Sequence, residues 1–234
     1  MGEAKSSSSS VALATPCKTE TEDNCEYGTL LEERDGQEYK TVKIGDQWWM
    51  TENLNYADSA KTPSLKGKSW CYDNVAKNCD IAGRLYTWAA AIDSVKLAND
   101  ADNPQDCGYG RECGLTGKVQ GICPSGWHLP SNDEWNALFT AVGGQSNAGK
   151  VLKSQTGWNN NGNGTDAYGF SELPAGRRNY YGNFDYDGYY AYFWSATEYG
   201  IYFAYYMYLG YDYESADLYY YHKFNGFSVR CLRD

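Results

Sequence analysis

Histidine, proline and clustered positive charge are scarce in this chain. Its 234 residues include 2 histidines and 6 prolines, and the formal net charge is −10. Lysine and arginine form no run, so the positive surface that binds phosphate backbones is missing, and nucleic acid is excluded as an expected partner. The apolar runs are only a few residues long, far short of the roughly 20 residues that span a bilayer. We therefore expect no transmembrane segment in the chain.

The motifs of the commonest hydrolases are also absent. The chain has no His-Glu-x-x-His, no Gly-x-Ser-x-Gly and no phosphate-binding glycine loop. His128 is expected to be packed and hydrogen-bonded rather than catalytic. We expect no catalytic residue, no metal site and no cofactor. A glycoside-acting enzyme is a lower-ranked alternative, because carboxylates such as Asp185 and Asp187 could pair for glycoside hydrolysis.

Composition predicts a short tether followed by one domain. Residues 1–16 contain the serine run Ser6–Ser10 and have the composition of a flexible segment. The rest of the chain, residues 17–234, is expected to be a single globular domain, because 42% hydrophobic and 16% aromatic residues suffice for a sizeable core. No secretory signal is visible, so export requires a signal that has been removed.

The cysteines predict disulfides. There are eight of them, an even number, and no pair is spaced as Cys-x-x-Cys, which disfavours a zinc ribbon or a thioredoxin-type site. Sequence alone allows many connectivities, and we prefer short loops plus one long closure. Such bonds predict an exported protein, either extracellular or at the cell surface. A lipid-anchored outer-membrane protein is one way in which it could be held at the surface. The expected pairs are Cys17 with Cys25, Cys71 with Cys79, Cys107 with Cys113, and Cys123 with Cys231.

Hydrophobic periodicity predicts strands and helices in the first part of the chain. Residues 38–44 and 47–53 are expected to form a hairpin around Gly45-Asp46. A first helix is expected within residues 83–99, where apolar residues recur at helical spacing. A capping box, Ser131 with Glu134, predicts the start of a second helix that ends at Gly143-Gly144. A short helical turn is expected over residues 148–153.

The second part of the chain is predicted to be β-rich. In the last strand Phe227, Val229 and Cys231 alternate with polar residues, which predicts a buried closing disulfide. Helices in the middle, followed by short strands, indicate an α+β domain rather than alternating βαβ units.

Tyrosine is concentrated near the C-terminus. Between Asn179 and His222 the chain carries 16 of its 23 tyrosines. A sheet buries alternate side chains, so about half of these rings must face outward. In residues 203–209 we expect the side that carries Tyr205 to be core, and Tyr192 is also expected in the core. A sheet in which tyrosine is simply a good strand former is the alternative.

Tyrosine is favoured at recognition surfaces because it brings a large contact area at a low entropic cost. We therefore predict a ligand-binding face within residues 179–225. Its expected residues are Tyr180, Tyr181, Asp185, Tyr186, Asp187, Tyr189, Tyr190, Tyr199, Tyr202, Tyr206, Tyr208, Tyr211, Asp212, Tyr213, Tyr219 and Tyr221.

Six segments closely resemble the Fibrobacter succinogenes major paralogous domain family. They are residues 39–54, 83–88, 123–135, 169–176, 193–198 and 226–231, and the resemblance extends over Asp35 to Asp234. The family is similar to the C-type lectin-like fold of formylglycine-generating enzymes, through Gly126-Trp-His-Leu-Pro-Ser131 and Gly226-Phe-Ser-Val-Arg230. The resemblance implies two helices with an irregular antiparallel sheet, stabilised by disulfides. It also implies bacterial, exported, often surface-anchored proteins of largely unassigned activity.

The resemblance also bears on activity. Formylglycine-generating enzymes use a reactive cysteine pair near the C-terminus, whereas Cys231 is the only cysteine in the last hundred residues here. The same fold houses variable proteins of diversity-generating retroelements, whose mutagenised asparagine codons yield Tyr, Asp, Ser, Gly, Ile, His or Phe but not Trp, Glu, Gln or Lys. Interstitial residues that fit this spectrum are Asn179, Asn183, Asp185, Asp187, Gly200, Ile201, Asp212, Ser215, Asp217, His222, Phe224 and Asn225. Glu198, Glu214 and Lys223 depart from it and are expected to be fixed scaffold positions.

These observations favour a non-enzymatic binding domain. We expect it to recognise a glycan or protein ligand through the tyrosine-rich segment. A structural or adhesion protein that self-associates is the alternative.

Overall fold

The computed structural model describes residues 13–234 and contains α-helices and β-strands in segregated groups. The described strands are β1 (Tyr27–Glu32), β2 (Gln37–Ile44), β3 (Gln47–Met50), β4 (Ser69–Trp70), β5 (Leu85–Tyr86), β6 (Ala175–Arg178), β7 (Phe184–Asp187), β8 (Tyr190–Tyr199), β9 (Phe203–Gly210), β10 (Ala216–His222) and β11 (Leu232–Arg233). The described α-helices are α1 (Ala76–Ala82), α2 (Trp88–Ala91), α3 (Ser94–Ala98), α4 (Asn132–Ala141) and α5 (Gln145–Leu152), with 3-10 turns at Pro63–Leu65 and Tyr72–Asn74. The predicted α+β class is confirmed.

The first sheet joins the start of the domain to its end. Its strand order is β1-β2-β3-β11, and Leu232 of the last strand lies opposite Trp49. The predicted hairpin between β2 and β3 is confirmed, with Gly45 at a φ of 61° in the turn, a conformation that glycine adopts without strain. The second strand ends at Met50, earlier than predicted. Asn53 lies outside the ladder because its side chain donates to the Ala82 carbonyl at 2.9 Å.

The second sheet has the order β10-β9-β8-β6-β7 and is covered on both sides over its central part. Phe193 and Met207 face a cluster that includes Leu138 and Leu152 of helices α4 and α5. Trp194 and Tyr206 point to the opposite side, where they pack with Phe227. Burial on both sides explains why strand β8 is buried without alternation from Ala191 to Ala196.

Helix α4 begins at the predicted capping box. The Ser131 hydroxyl accepts from the Glu134 amide at 3.3 Å, and the Ser131 amide donates to the Glu134 carboxylate at 2.8 Å. Trp135, Leu138 and Phe139 form its buried side, as predicted. The short turn predicted over residues 148–153 is part of a longer helix, α5, which starts at Gln145.

The single helix predicted within residues 83–99 is wrong. This segment forms strand β5 and then two short helices, which are separated at Asp93 with a left-handed φ of 53°. The reason is a tertiary hydrogen-bond relay. The Ser64 hydroxyl donates to the Asp93 carboxylate at 2.6 Å and accepts from the Val95 amide at 2.8 Å. Helix α1, which directly precedes this segment and carries Cys79, was not predicted.

Arg230 lies at the centre of the packed domain with an exposure of only 1%. Its Nε donates to Asn53 Oδ1 at 2.9 Å, and its Nη1 and Nη2 donate to the carbonyls of Phe170 and Ser171. The carboxylate of Glu172, which is fully buried, lies 3.3 Å from Nη2. Burial lowers the pKa of Arg230 and raises the pKa of Glu172 to about 8, because the attraction between the two charges only partly offsets their desolvation.

Three of the four predicted disulfides are present. Cys17 is bonded to Cys25, Cys71 to Cys79, and Cys123 to Cys231. Cys231 and Cys123 are fully buried, as the alternation in the last strand predicts. The fourth predicted bond is wrong, because Cys107 and Cys113 are free thiols. Disulfides are typical of proteins in an oxidising compartment, which is consistent with export.

The predicted tether lies largely outside the residues that the structure describes. Residues 1–12 are not described, and at residue 14 the chain already contacts the domain, since the Ala14 amide donates to the Ala141 carbonyl at 2.8 Å. Within residues 13–234, no helix is both long and apolar enough to cross a membrane.

We expect the long disulfide to stabilise the domain more than the shortest ones. In the chain-entropy model, replacing Cys123 and Cys231 by serine opens a loop with a sequence separation of 108 and costs roughly 4–5 kcal/mol. The same change at Cys17 and Cys25, with a separation of 8, should cost about 2–3 kcal/mol. Urea denaturation of the two double variants measures both costs. Equal losses would contradict this ranking.

We expect Glu172 to make stability depend on pH. Its pKa is about 8 in the folded state against 4.5 when unperturbed, so its contribution is full below about pH 4.5 and is lost as the pH rises through 8. The unfolding free energy of the wild type should therefore fall relative to Glu172→Gln by up to about 1.4 kcal/mol per pH unit in this window. Parallel pH profiles from urea denaturation would rule this out.

Candidate functional site

The tyrosine-rich segment builds the outer strands of the second sheet, and its rings are divided between both sides. Tyr206 lies opposite Tyr219 on one neighbouring strand and opposite Trp194 on the other, so these three share a side. Tyr205 lies opposite Tyr220 and points the other way. The prediction of a single face is therefore wrong in part, and most of the exposed and half-buried rings fall into three groups.

The largest group extends outward from the side that carries Tyr206, and we call its exposed and half-buried rings the tyrosine face. Neighbouring rings touch edge to face or stack, for example Tyr186 on Tyr190 with centroids 5.3 Å apart. Tyr219 is the most open of them, with 55% of its surface exposed. The tyrosine face consists of Tyr186, Tyr190, Tyr208, Tyr213, Tyr219 and Tyr221.

Arg177 lies beneath the tyrosine face. Its guanidinium carbon is 5.0 Å from the ring centre of Tyr186, 5.2 Å from that of Tyr221 and 5.6 Å from that of Tyr192. Its Nε lies 3.7 Å from Asp185, and within the described chain this buried nitrogen has no hydrogen-bond partner. A cation held mainly by ring faces fixes the tyrosines in place and adds positive charge under their hydroxyl groups.

Tyr206 is not part of the exposed surface, so its predicted exposure is wrong. Only 7% of its surface is open, because Phe227 packs against its ring at 5.0 Å and Tyr192 at 5.8 Å. The prediction that Tyr192 is core is confirmed. Burial raises the pKa of both hydroxyls well above the usual tyrosine value.

The second group lies on the opposite side of the sheet. Tyr199 stacks on Tyr220 with centroids 3.9 Å apart and meets Tyr205 edge to face at 5.4 Å. Tyr205 was expected in the core but is only half-buried, because Met207 and Leu209 are the residues of this strand side that pack in the helix cluster. Tyr220 also stacks on Tyr219 with centroids 5.0 Å apart, so this group adjoins the tyrosine face at the edge strand.

The third group gathers at one edge, where Tyr180, Tyr181 and Tyr202 lie. Tyr180 stacks on His222 at 4.9 Å, and Tyr202 lies 5.1 Å from Tyr109. Tyr109 in turn stacks on Phe224 at 4.1 Å. Tyr109 was not predicted as a site residue, because it lies about seventy positions before Tyr180 and no local pattern links the two.

The remaining predicted residues lie in strand β7 and at the strand turns. Tyr189 and Tyr211 meet edge to face at 5.3 Å. Asp185 accepts a hydrogen bond from the Asn179 side chain at 2.8 Å, and burial raises the pKa of Asp187. Burial and the nearby carboxylates of Asp217 and Asp212 raise the pKa of Tyr208, so this ring stays a neutral phenol.

Glu198 and Lys223, two of the residues that mutagenised asparagine codons cannot yield, form a buried ion pair. The Lys223 side chain is 1% exposed and binds the Glu198 carboxylate, which is 8% exposed. Lys223 also donates to the carbonyls of Gly108 at 3.1 Å and Arg111 at 2.9 Å. It thereby attaches the loop that carries Tyr109 to the tyrosine-rich segment. Glu214, the third such residue, lies at the surface in an exposed pair with Lys150.

The free thiols of Cys107 and Cys113 are at the ends of the same loop. The Cys113 amide donates to Glu198 at 2.9 Å, and its sulfur lies 3.7 Å from the same carboxylate. A hydrogen bond between the thiols raises the pKa of Cys113 and lowers that of Cys107. The carboxylate of Glu198 holds this end of the loop without a sulfur bond.

His128 is packed and hydrogen-bonded, as expected. Its Nε2 lies 2.7 Å from Glu134, the residue of the capping box. With Asp234 these side chains form a group whose ligand atoms lie within 4.8 Å of one another. Glu134 also accepts from the amide and hydroxyl of Ser131, and Asp234 pairs with Lys118, so each carboxylate already has a protein partner.

Comparison with known proteins places the chain in one family. The model of the Fibrobacter succinogenes major domain matches residues 42–233, which is most of the chain. The resemblance in the sequence motifs is thereby confirmed. No curated protein and no solved structure matches the chain.

We expect the Glu198–Lys223 pair to be essential for the loop at residues 107–113. Lys223→Met leaves the Glu198 charge buried without its partner and should lower the unfolding free energy by roughly 3–5 kcal/mol. Adding Glu198→Gln should restore part of that loss. Lys150→Met, which breaks the exposed pair with Glu214, should cost less than about 1 kcal/mol. Urea denaturation compares the three variants, and similar losses at Lys223 and Lys150 would contradict the scaffold role.

Proposed function

We propose that this chain, which belongs to the Fibrobacter succinogenes major domain family, is a non-catalytic binding domain whose tyrosine face docks a glycan or protein ligand. The observation that carries the proposal is the tyrosine face itself. Six tyrosines are arranged side by side on one side of the sheet, and Arg177 lies beneath three of the rings in that part of the sheet. Tyr186, Tyr213 and Tyr219 are each about half exposed.

The chemistry of the face suits recognition. Each ring offers a flat apolar surface and a hydroxyl that donates or accepts, so it can stack on a sugar or a side chain and bond a polar rim. Asp212 and Asp217 lie close enough to raise the pKa of Tyr208, which puts carboxylate acceptors at the border of the face. Because the rings pack against one another, little side-chain entropy is lost on binding.

The fold of this proposed domain is C-type lectin-like. The support is local: the Gly-Trp-His-Leu-Pro-Ser segment leads into the capped helix α4, and Gly226-Phe-Ser-Val-Arg leads into the last strand beside the first sheet. Three disulfides and the resemblance support export, and we place the domain outside the cell or on its surface.

We further propose that the tyrosine face is one version of a diversified surface. Its residues are those that mutagenised asparagine codons yield, and the buried pair Glu198–Lys223 supplies fixed positions between them. A reverse transcriptase gene and a near-copy of the 3′ end beside this gene would support the proposal. Their absence from the locus would overturn this part and leave the binding function standing.

We expect substitution at two positions of the tyrosine face to weaken binding. Tyr208→Ala with Tyr219→Ala removes one half-buried and one exposed ring and should weaken a ligand found on a glycan or protein array by at least about tenfold. The matched control is Tyr199→Ala with Tyr205→Ala, which removes a similar pair from the opposite side.

Circular dichroism and thermal unfolding should show that both double variants remain folded. Equal binding by the wild type and the Tyr208 and Tyr219 variant would sink the proposal. Light scattering across concentrations distinguishes the alternative: association of the wild type that this variant loses would indicate a self-associating protein.

A further inference from the structure

A cleft beside the tyrosine face collects basic side chains. Its volume is about 630 Å³, and it lies between the turn at residues 66–70 and the loop at residues 106–111. A cleft of this size holds a ligand of two or three sugar rings or a similar small molecule. The charged residues that line it are Lys66, Lys68, Asp106, Arg111, Arg178 and Lys223.

The cleft has an excess of positive charge although the protein is acidic, with a formal net charge of −10. Lys223 is neutralised by Glu198, and Arg111 lies 3.3 Å from Asp106. Within residues 13–234, Lys66, Lys68 and Arg178 form no ion pair. Three unpaired cations around one concave surface attract an anion more strongly than scattered surface charges do.

Arg178 is the best-defined of these cations. Its guanidinium carbon lies 4.0 Å from the ring centre of Trp70, so the group is stacked and held in a fixed plane. Partial burial lowers its pKa, and no carboxylate compensates for the lost hydration. A planar guanidinium whose edges are free presents paired N–H donors with the geometry that matches a carboxylate.

The backbone at Gly226 brings Arg178 and Trp70 together. The amide of each of Arg178 and Gly226 donates to the carbonyl of the other, at 2.9 and 2.7 Å. A Cβ at position 226 would lie 3.1 Å from Arg178 Cβ and 3.3 Å from Leu85 Cβ, which is tighter than most Cβ contacts, and 3.4 Å from Trp70 Cε3. The glycine therefore permits the close approach that forms the floor of the cleft.

Aromatic rings form the walls. Tyr109 and Phe224 stack with centroids 4.1 Å apart where Lys223 holds the loop, and Tyr180 also lines the cleft. Flat rings around a guanidinium fit a ligand with a flat apolar surface and an attached acid. An acidic peptide offers the acid without the flat rings, and inorganic phosphate offers neither ring nor apolar surface.

We propose that this cleft binds a carboxylate-bearing sugar, with Arg178 pairing the carboxylate, Lys66 and Lys68 adding charge, and the aromatic walls stacking on the sugar rings. The site is distinct from the tyrosine face, since none of the six residues that define that face lines it. The inference does not depend on the function proposed for that face.

Calorimetric titration with uronic acid trimers tests the inference. The probes are trimers of galacturonic, glucuronic and mannuronic acid, the methyl ester of the trimer that binds best, a triglutamate peptide and inorganic phosphate. We expect one uronic acid trimer to bind, its methyl ester to bind at least roughly tenfold more weakly, and the peptide and phosphate to bind weakly or not at all. Added salt should weaken binding of the acid trimer.

Substitutions locate the site. Arg178→Gln should raise the Kd of the acid trimer by roughly tenfold to a hundredfold, and Arg178→Lys should recover part of the loss because it keeps the charge without the paired donors. If Arg178→Gln fails to fold, the double variant Lys66→Gln with Lys68→Gln gives a second test. Lys66 is exposed and Lys68 is half-exposed, so both changes leave the core intact, and they should also weaken binding of the trimer. Lys43→Gln, the same charge change on strand β2, should leave binding unchanged.

Four results would overturn the inference, the last of them by moving the sugar to another site. The first is that no uronic acid trimer binds. The second is that acid and ester bind equally, or that triglutamate or phosphate binds as well as the trimer, which would indicate an acidic peptide or a simple anion. The third is that binding is unaffected by both the Arg178 and the lysine variants. Loss of trimer binding in the Tyr208 and Tyr219 variant alone would assign the sugar to the tyrosine face instead.

Discussion

The fold depends on satisfying one buried cation. Arg230 cannot lose its proton at ordinary pH, so every N–H of its guanidinium needs an acceptor once it is removed from water. Those acceptors come from distant segments: Asn53 after the first hairpin, and the Phe170 and Ser171 carbonyls before the second sheet. The Glu172 carboxylate adds an ion pair at 3.3 Å. Each segment belongs to a different sequence motif. Three of the six motifs that identify the family thus meet around this charge.

Coverage of the second sheet determines which tyrosines can meet a ligand. Helices α4 and α5 cover one side and Phe227 with its neighbours covers the other, so the centre of the sheet is core on both sides. Only rings towards the strand ends and the edge strand reach solvent. Tyrosines near the centre of the sheet are therefore part of the core, whereas those far from the centre are available to contact a ligand. The position of a tyrosine in the sheet determines its role.

Signals that act over a few residues were sufficient to predict part of this structure. The capping box at Ser131, the hairpin at Gly45 and the buried Cys231 each depend on local chemistry, and each is found where expected. Tyr206 was misplaced because alternation shows which residues share a side but not whether that side is covered. The break at Asp93 and the cleft around Arg178 depend on partners far along the chain. No periodicity encodes such contacts.

The hydrogen bonds between Arg178 and Gly226 also have an evolutionary consequence. They close residues 179–225 into an excursion that leaves and re-enters the domain at one point. Immediately after it, the chain is fixed by the charge network of Arg230 and by the bond from Cys231 to Cys123. The turns within the excursion can change in length or sequence without altering the distance that the rest of the domain must span. These turns can thus differ between relatives, provided that the core residues of strands β8 and β9 and the Glu198–Lys223 pair are retained.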